Sequence, residues 1–428
     1  MSRRPRAPRL SAGAALLIAS FALAACGTSS ASTAPSTDAS PDATTDEHEP
    51  GSAGAAEADA RTPRLAVTYD GGILVLDATT LDVVSSHELD GFNRVNAAGD
   101  GRHVLVSTEG GFAPLDLGTW SEGHGDHDHH YTAEPRLHEV LVAAEHPGHV
   151  VVHDGLTALF DDATGTVTVV EADTWDEQVE AGEVTAVRTY TTPTAHHGVA
   201  AASADGSLVV TEGTEESRTG ARLLDAADAV VAESDACPGV HGEAVAAGGV
   251  VTLGCQDGAL VVRDGAITHV ASPDSYGRMG NQSGSEASGV VLADYKVDPD
   301  AELERPTRVA LVDTDEARVA LVALPSSYTF RSLGRGEGGE ALVLGTDGSL
   351  HVIDPETAQL TRSIPVVEAW EEPTQWQDPR PALLVLDGLA YVTDPAGREI
   401  HVVDVAAGEV VTSAALPATP NEIAGVTG

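Results

Sequence analysis

Closely spaced histidines are the residues of this sequence best suited to chemistry. Residues 121–130 read Ser-Glu-Gly-His-Gly-Asp-His-Asp-His-His, which places His124, His127, His129 and His130 in one short segment. Neutral imidazole is the commonest protein ligand of borderline transition metals, and these four side chains are close enough in sequence to share one ion. The alternative is a solvated loop whose metal affinity is adventitious. The segment therefore predicts a transition-metal site.

Three more histidines, His149, His197 and His241, recur at the same place in successive repeats of a β-rich region. Three neutral imidazoles on rigid strands, with a water or a carboxylate, suit a tetrahedral zinc ion. For any one of them alone, a histidine hydrogen-bonded to water or to a neighbouring strand is the alternative. Copper and nickel also bind imidazole, so ligand type by itself does not select zinc. The nearby residues that we expect to fix the imidazole tautomers, or to replace a ligand, are His153, His196 and Glu243.

Short strands are the elements that must position these histidines. From about residue 61 the sequence consists of short β-branched runs separated by Asp-Gly and Gly-Gly turns, as in 65–77 and 341–354. Strands and two-residue turns at this density predict an all-β antiparallel structure, with no competing segment of helical period. Between strands at 111–117 and 135–142, the residues from His124 to His130 are too polar to pack and predict a mobile loop.

The β-rich unit repeats roughly every 40–55 residues, a length that suits the four-stranded blades of a β-propeller. Residues 421–428 would add one strand to the sheet begun at 62–87, so that the C-terminal strand pairs with the N-terminal blade and leaves no open edge. We count eight blades, or seven if the units around 281–366 have been divided too finely. The predicted unit starts are Asn96, His149, His197, His241, Asn281, Ser332, Pro381 and Asn421.

Position within the blade predicts two separate sites. The start of the innermost strand lines the mouth of a propeller's central channel, where His149, His197 and His241 could converge. A connection between the third and fourth strands emerges on the opposite face, so the segment of His124 to His130 would form a site of its own.

The N-terminal region predicts export and lipid attachment. Residues 1–26 combine arginines, an apolar run too short to span a bilayer, and the lipobox-like sequence Leu23-Ala24-Ala25-Cys26-Gly27, which would make Cys26 the lipidated N-terminus. An ordinary signal peptide cut after an A-x-A site is the alternative. Residues 27–60 predict a disordered tether, and 61–428 the metal-binding β-propeller. The expected location is the outer face of the cytoplasmic membrane, held by the lipid anchor alone.

Cysteine usage predicts one disulfide. With Cys26 committed to lipid, Cys237 and Cys255 remain. In an oxidising compartment an isolated pair about one hairpin apart is most simply bonded. Metal ligation by both is the alternative, with only His241 close by in sequence.

The charge of the chain bears on its partners. A formal net charge of -43 at pH 7 excludes nucleic acid as a natural partner, because no basic stripe exists to neutralise phosphates. The negative field favours cations, although such a field also serves solubility alone.

Several short motifs resemble the AztD family of propeller-fold periplasmic zinc metallochaperones, which are encoded with an ABC-type zinc importer. The resemblance is clearest over residues 90–270, and the runs around Cys237-Pro and His-His-Gly are its most specific parts. Its residues are His124-Gly-Asp-His127, Pro147-Gly-His149, His153-Asp-Gly155, Ala195-His-His-Gly-Val199, Cys237-Pro-Gly-Val-His-Gly-Glu243 and Gly254-Cys-Gln-Asp-Gly258.

This resemblance implies that the protein captures Zn²⁺ and hands it to the solute-binding protein of the importer. It also implies ligands at the matching positions His124, His127, His149, His197 and His241. The chain departs from the family in its lipobox and in having Gly280-Asn-Gln-Ser where another histidine-bearing segment is expected. A lipid anchor would confine the handover to the membrane surface.

Two other function classes fit the fold. A secreted propeller enzyme, such as a hydrolase or lyase, could use the same channel. Aromatic content of 4% argues against a floor for a flat quinone cofactor, and no Ser/His/Asp constellation is identifiable, so we expect no enzyme activity. A metal-independent cell-surface interaction scaffold would fit everything except the histidines. Metal content of protein purified without a His-tag would distinguish the three classes.

Overall fold

The computed structural model describes residues 54–428. The predicted signal peptide, its lipobox with Cys26, and residues 27–53 of the predicted tether lie outside the described residues. Within residues 54–428 no helix is both long enough and apolar enough to cross a bilayer.

Antiparallel strands make up most of the described chain, as the sequence predicts. Several of the hairpins turn at an Asp-Gly pair in which both residues have positive φ, such as Asp154 (φ 51) with Gly155 (φ 74) and Asp264 (φ 50) with Gly265 (φ 76). These are the dihedral signs of a type I′ turn, whose twist matches that of paired strands. The turn chemistry therefore fixes where each hairpin folds back.

Within residues 54–428, and apart from a three-stranded sheet described below, eight sheets follow one another along the chain. Each starts with its innermost strand, except that the innermost strand of sheet 1 comes from the C-terminus. In sheet 2 the last two segments both pair with Gly111–Asp116. The strands are Ile423–Val426, Arg64–Tyr69, Gly72–Asp77 and Val83–Glu88 in sheet 1; Arg94–Ala97, His103–Thr108, Gly111–Asp116, Arg136–Leu137 and Val142–Ala143 in sheet 2; Pro147–His153, Leu156–Asp161, Thr166–Glu171 and Arg188–Thr191 in sheet 3; Ala200–Ala202, Leu208–Gly213, Arg218–Leu224 and Val230–Ser234 in sheet 4; His241–Ala246, Val250–Cys255, Gly258–Arg263 and Ala266–Ala271 in sheet 5; Gln282–Ser285, Ser288–Asp294, Arg308–Asp313 and Arg318–Ala323 in sheet 6; Leu333–Arg335, Ala341–Leu344, Ser349–Asp354 and Gln359–Pro365 in sheet 7; Leu383–Leu386, Leu389–Asp394, Glu399–Asp404 and Glu409–Ala415 in sheet 8.

The hydrophobic core lies between consecutive sheets. Val251 and Leu253 of sheet 5, for example, pack against Val209 of sheet 4. The eighth sheet packs in the same way against the first, and the predicted pairing of the C-terminal strand with Arg64–Tyr69 is present. The innermost strands begin within three residues of the predicted unit starts.

The segment of His124 to His130 differs from its prediction. It forms a β-hairpin of Thr119–His124 and His127–Thr132, not an irregular loop, and Ala56–Ala58 adds a third strand to it. We call this three-stranded sheet the histidine hairpin. The folded chain therefore begins before residue 61, and the last residues of the predicted tether are part of it.

Two smaller differences concern sheets 2 and 3. The single fourth strand predicted at 135–142 is divided into Arg136–Leu137 and Val142–Ala143. One α-helix, Trp175–Ala181, occurs where the sequence predicted none, and it buries Trp175 and Val179 between these sheets. A 3₁₀ turn, Ala172–Thr174, precedes it, and another covers Ala247–Gly249.

Candidate metal centres

Three neighbouring sheets bring His149, His197 and His241 together, and we call this group the inner-strand cluster. His149 lies in Pro147–His153, His241 begins His241–Ala246, and His197 lies three residues before Ala200–Ala202. The strands carrying His149 and His241 each have a β-bulge at the histidine, where the pairing register shifts. A β-bulge changes the direction of a side chain relative to its strand, which explains how strands of different sheets direct their imidazoles towards one point.

The three imidazoles form a triangle. Ring centroids are 5.1 Å apart for His149 and His197, 5.4 Å for His149 and His241, and 5.0 Å for His197 and His241. One ligand atom from each ring can be chosen so that all three lie within 4.8 Å of one another. The Nε2 atoms of His197 and His241 are 3.1 Å apart.

The outer ring nitrogens identify the tautomers. His197 Nδ1 lies 2.5 Å from Asp162 Oδ2, and His241 Nδ1 lies 2.6 Å from the carbonyl oxygen of Gly280. An ionised carboxylate and a carbonyl only accept hydrogen bonds, so both Nδ1 atoms carry the proton and donate it. The two Nε2 atoms then face each other with lone pairs at 3.1 Å, an arrangement that a shared cation stabilises.

Burial and neighbouring charge favour the neutral form of His241, which is the form that binds a metal. Burial and the neighbouring His149 hold the pKa of His241 well below its usual value, although the hydrogen bond to Gly280 opposes this shift. Glu243 Oε2 lies 3.1 Å from His149 Nδ1, and both side chains are only 18% exposed. The cluster therefore combines three imidazoles with two carboxylates, Asp162 and Glu243.

Two glycines make this close approach possible. A Cβ at Gly148 would collide with the carboxylate of Asp162, and one at Gly242 would collide with the carbonyl of Gly280. Gly242 also has φ +72, which disfavours any other residue. The glycines thus keep the outer partners of His197 and His241 in place. Beside the cluster is a cavity of about 210 Å³ lined by His149, Glu243 and other residues of the innermost strands.

A second group, which we call the hairpin cluster, consists of His124, His127 and His129. His124 and His127 are direct cross-strand partners, and His129 follows His127 on the same face. The Nε2 atoms of His127 and His129 are 3.2 Å apart, and the three ring centroids are 4.9–5.4 Å apart. His129 Nδ1 lies 2.7 Å from Glu57 Oε1.

The structure separates His130 from this cluster. Successive residues of a strand point to opposite faces, so His130 faces away from His127 and His129. Its Nδ1 is 2.7 Å from the hydroxyl of Ser121 on that other face. Three of the four predicted histidines are thus brought together.

The inner-strand cluster and the hairpin cluster share no residue and lie in different sheets. From His149, the strand Pro147–His153 runs about 13 Å to its other end. There the turn at Asp154 lines a cavity of about 1000 Å³ together with Trp120 and Glu122 of the histidine hairpin. The prediction of two separate sites agrees with this arrangement.

Of the three predicted outer partners, one lies at the inner-strand cluster and two lie elsewhere. Glu243 is beside His149, but His196 is buried and bonds to Thr194 and Thr211, and His153 ends the strand away from the cluster. Asp162, the carbonyl of Gly280 and Glu57 are outer partners that were not predicted from the sequence. Asp162 lies in the turn after Leu156–Asp161. The only sequence signal for its role is an Asp at that turn, in the repeat before the one that starts at His197.

The predicted disulfide is confirmed. Cys237 and Cys255 are bonded and fully buried, so neither thiol is available to a metal. They lie in the core between sheets 4 and 5. Cys237 precedes His241 in the sequence, and Cys255 follows Gly254, the strand partner of His241.

Comparison with known proteins places these clusters in context. No family model matches the chain. The zinc chaperone AztD of Citrobacter koseri is 24% identical over 367 residues, which are 83% of this chain and 83% of that protein. The chain resembles AztD. This confirms the resemblance seen in the sequence motifs.

Solved structures show the shared fold. The crystal structure of Citrobacter koseri AztD has a TM-score of 0.74 and 24% identity, covering 86% of this chain and 99% of that one. The dihydro-heme d1 dehydrogenase NirN has a TM-score of 0.55 and 11% identity, covering 84% of this chain and 74% of that one. The architecture therefore recurs in proteins of different chemistry, and function has to be argued from the site.

Proposed function

We propose that this protein is an extracytoplasmic zinc metallochaperone that binds Zn²⁺ at the inner-strand cluster and hands it to the solute-binding protein of an ABC zinc importer. The observation that carries the proposal is the pair of Nε2 lone pairs of His197 and His241, 3.1 Å apart. Two nitrogens on a tetrahedral zinc ion lie about 3.3 Å apart, since each Zn–N bond is about 2.05 Å. The name of the relative, a zinc chaperone, supports the same metal and the same role.

The donor set suits zinc that must later be released. His149, His197 and His241 supply three neutral nitrogens, and a fourth position remains for water or a carboxylate such as Glu243. Asp162 and the Gly280 carbonyl orient two of the rings from outside, as outer partners do in histidine-bound zinc sites. A three-histidine site with an open position allows an incoming ligand of the partner to attack the metal.

The hairpin cluster is the proposed exchange site. Two of its three histidines, His124 and His127, are exposed, whereas only His197 is exposed in the inner-strand cluster; the side chain of His127 is 56% exposed. An exposed cluster on a hairpin exchanges its metal quickly, because few contacts hold the ligands in place. We propose that it relays zinc during uptake or delivery.

The remaining parts of the proposal concern architecture and location. The eight sheets would be the blades of a closed eight-bladed propeller, since each packs on the next and the eighth packs on the first. A lipid anchor at Cys26 would hold the protein at the outer face of the cytoplasmic membrane. Zinc is cargo in this scheme and the protein has no catalytic role; the relative is likewise named a chaperone.

Titration of zinc into a variant that lacks all three imidazoles of the inner-strand cluster tests the proposal. Isothermal titration calorimetry should show loss of the tight site with an unchanged circular dichroism spectrum, because none of the three histidines belongs to the buried hydrophobic core. Retained high-affinity binding would refute the assignment. The control replaces His87 and His146 with Ala, two histidines that belong to none of the side-chain groups able to hold a metal in the described residues.

Delivery is tested separately. Replacing His127 and His129 with Ala should leave the affinity of the inner-strand cluster nearly unchanged, because its ligands lie on other strands. It should slow stopped-flow transfer of zinc to the importer's solute-binding protein. Equal transfer rates, or loss of the tight site itself, would contradict the division into a storage site and a relay.

A further inference from the structure

The strand Ala56–Ala58 brings a carboxylate to the hairpin cluster from a distant part of the sequence. Glu57 pairs with Tyr131 across the sheet, on the face that also carries His127 and His129. Neighbouring positions on one face of a sheet are within reach of a long side chain. Glu57 therefore extends along that face, and its Oε1 lies 2.7 Å from His129 Nδ1.

This contact repeats the arrangement of the inner-strand cluster. There, Asp162 accepts a hydrogen bond from His197 Nδ1, and His197 Nε2 faces a second imidazole at 3.1 Å. In the hairpin, Glu57 occupies the place of Asp162, and His129 Nε2 faces His127 Nε2 at 3.2 Å. The same arrangement of a carboxylate, an imidazole and an Nε2 atom with a free lone pair thus occurs twice, in unrelated segments of the chain.

The attachment of the strand itself is slight. Ala56–Ala58 is three residues long, lies at an edge and pairs only with His127–Thr132. The side chain of Glu57 is 63% exposed, so its bond to His129 is weakened by competition with water. A metal on Nε2 withdraws electron density from the ring, which makes Nδ1–H a stronger donor to the carboxylate.

We infer that Glu57 is a positioning residue for zinc at the hairpin cluster, and that zinc bound there fastens the strand Ala56–Ala58 to the hairpin. The inference rests on the proposed function, because it takes the hairpin cluster as a zinc site. Coupling between two binding events is reciprocal, so docking of the strand raises zinc affinity by the factor by which zinc favours docking. Zinc binding at the hairpin would therefore attach the strand Ala56–Ala58, and zinc release would free it.

The test uses a background in which His149, His197 and His241 are all Ala, so that zinc cannot bind at the inner-strand cluster. Glu57→Gln keeps the shape of the side chain and removes its charge. The control is Asp128→Asn, which removes the same charge from the opposite face of the neighbouring strand. Zinc affinity is measured by competition with a chelator, and attachment of the strand by amide hydrogen exchange of the peptide covering residues 54–60, with and without zinc.

Loss of an outer partner of a metal-bound histidine typically costs 10–100-fold in affinity, and exposure of Glu57 places the expected loss near about tenfold. Asp128→Asn should change affinity less than about twofold. Zinc should slow exchange of the 54–60 peptide in the background and in Asp128→Asn, but not in Glu57→Gln. Unchanged affinity in Glu57→Gln, or exchange that does not respond to zinc, would overturn the inference while leaving the hairpin zinc site standing. Absence of zinc binding in the background protein would refute the proposed hairpin site and the inference with it.

Discussion

Replacing Asp162 with Asn should weaken zinc binding at the inner-strand cluster without unfolding the protein. Asp162 accepts the Nδ1 hydrogen of His197 at 2.5 Å, and the charge of the carboxylate increases the basicity of the Nε2 atom that faces the metal. A hydrogen bond to a charged group contributes about 1.5–3 kcal/mol, and a neutral one about 0.5–1.5 kcal/mol. The Asn oxygen still accepts the bond, so the difference is about 1.4 kcal/mol, equivalent to about a tenfold increase in Kd.

The side chain of His197 is 42% exposed, which argues for the lower end of the 10–100-fold range for outer partners. Competition with a chelator of known affinity measures the change, and the control is Asp205→Asn, which removes the same charge from a turn of sheet 4. Wild-type affinity in Asp162→Asn would show that the carboxylate does not act through His197. An equal loss in Asp205→Asn would show that the effect is one of net charge.

Three further outcomes are expected. Replacing Cys237 and Cys255 with Ser should lower the free energy of unfolding by about 3 kcal/mol, as measured by denaturant titration, because the bond closes a loop of 18 residues in the unfolded chain; an unchanged midpoint would contradict this. Burial alone would raise the pKa of Asp116, but its bonds to Arg102 lower it overall. The pair should therefore stabilise the fold at pH values above about 3.9, the pKa of an Asp in the unfolded chain, and lose that contribution as pH falls through the lower pKa of the folded state. The difference in Tm between wild type and Asp116→Asn should shrink over that fall in pH, and a constant difference across pH would refute it. His130→Ala should leave hairpin zinc affinity unchanged, because His130 faces away; a tenfold loss would place it among the ligands.

Local signals explain why the sequence predicted much of the fold. Asp-Gly pairs favour positive φ wherever they stand, and alternating β-branched runs favour paired strands, so the hairpins and the repeat unit are visible without a structure. The disulfide was predictable for a similar reason, since only Cys237 and Cys255 were left to pair. The recurrence of His149, His197 and His241 at unit starts also needs nothing beyond the spacing of the repeats.

The histidine hairpin was missed because the same local signals are absent there. A strand that alternates His, Asp and His has no apolar face to mark it, and its stability comes from pairing with Thr119–His124 and with Ala56–Ala58. The latter segment is about seventy residues away in the chain and has the composition of a tether. Only the folded structure shows that it is part of the sheet.

The tertiary structure alone decided which atoms meet. Residue types and repeat positions predicted which histidines are candidate ligands. The direction of their rings is set by the β-bulges at His149 and His241 and by the space left at Gly148 and Gly242. Asp162 and the Gly280 carbonyl come from neighbouring sheets, so sequence proximity favoured His153 and His196 in their place. The distance between two ligand atoms depends on the backbone conformation of every residue between them. A shift in strand register of one residue moves each side chain to the opposite face of the sheet. Composition and periodicity fix the chemistry available to this chain, whereas its packing fixes the geometry in which that chemistry is used.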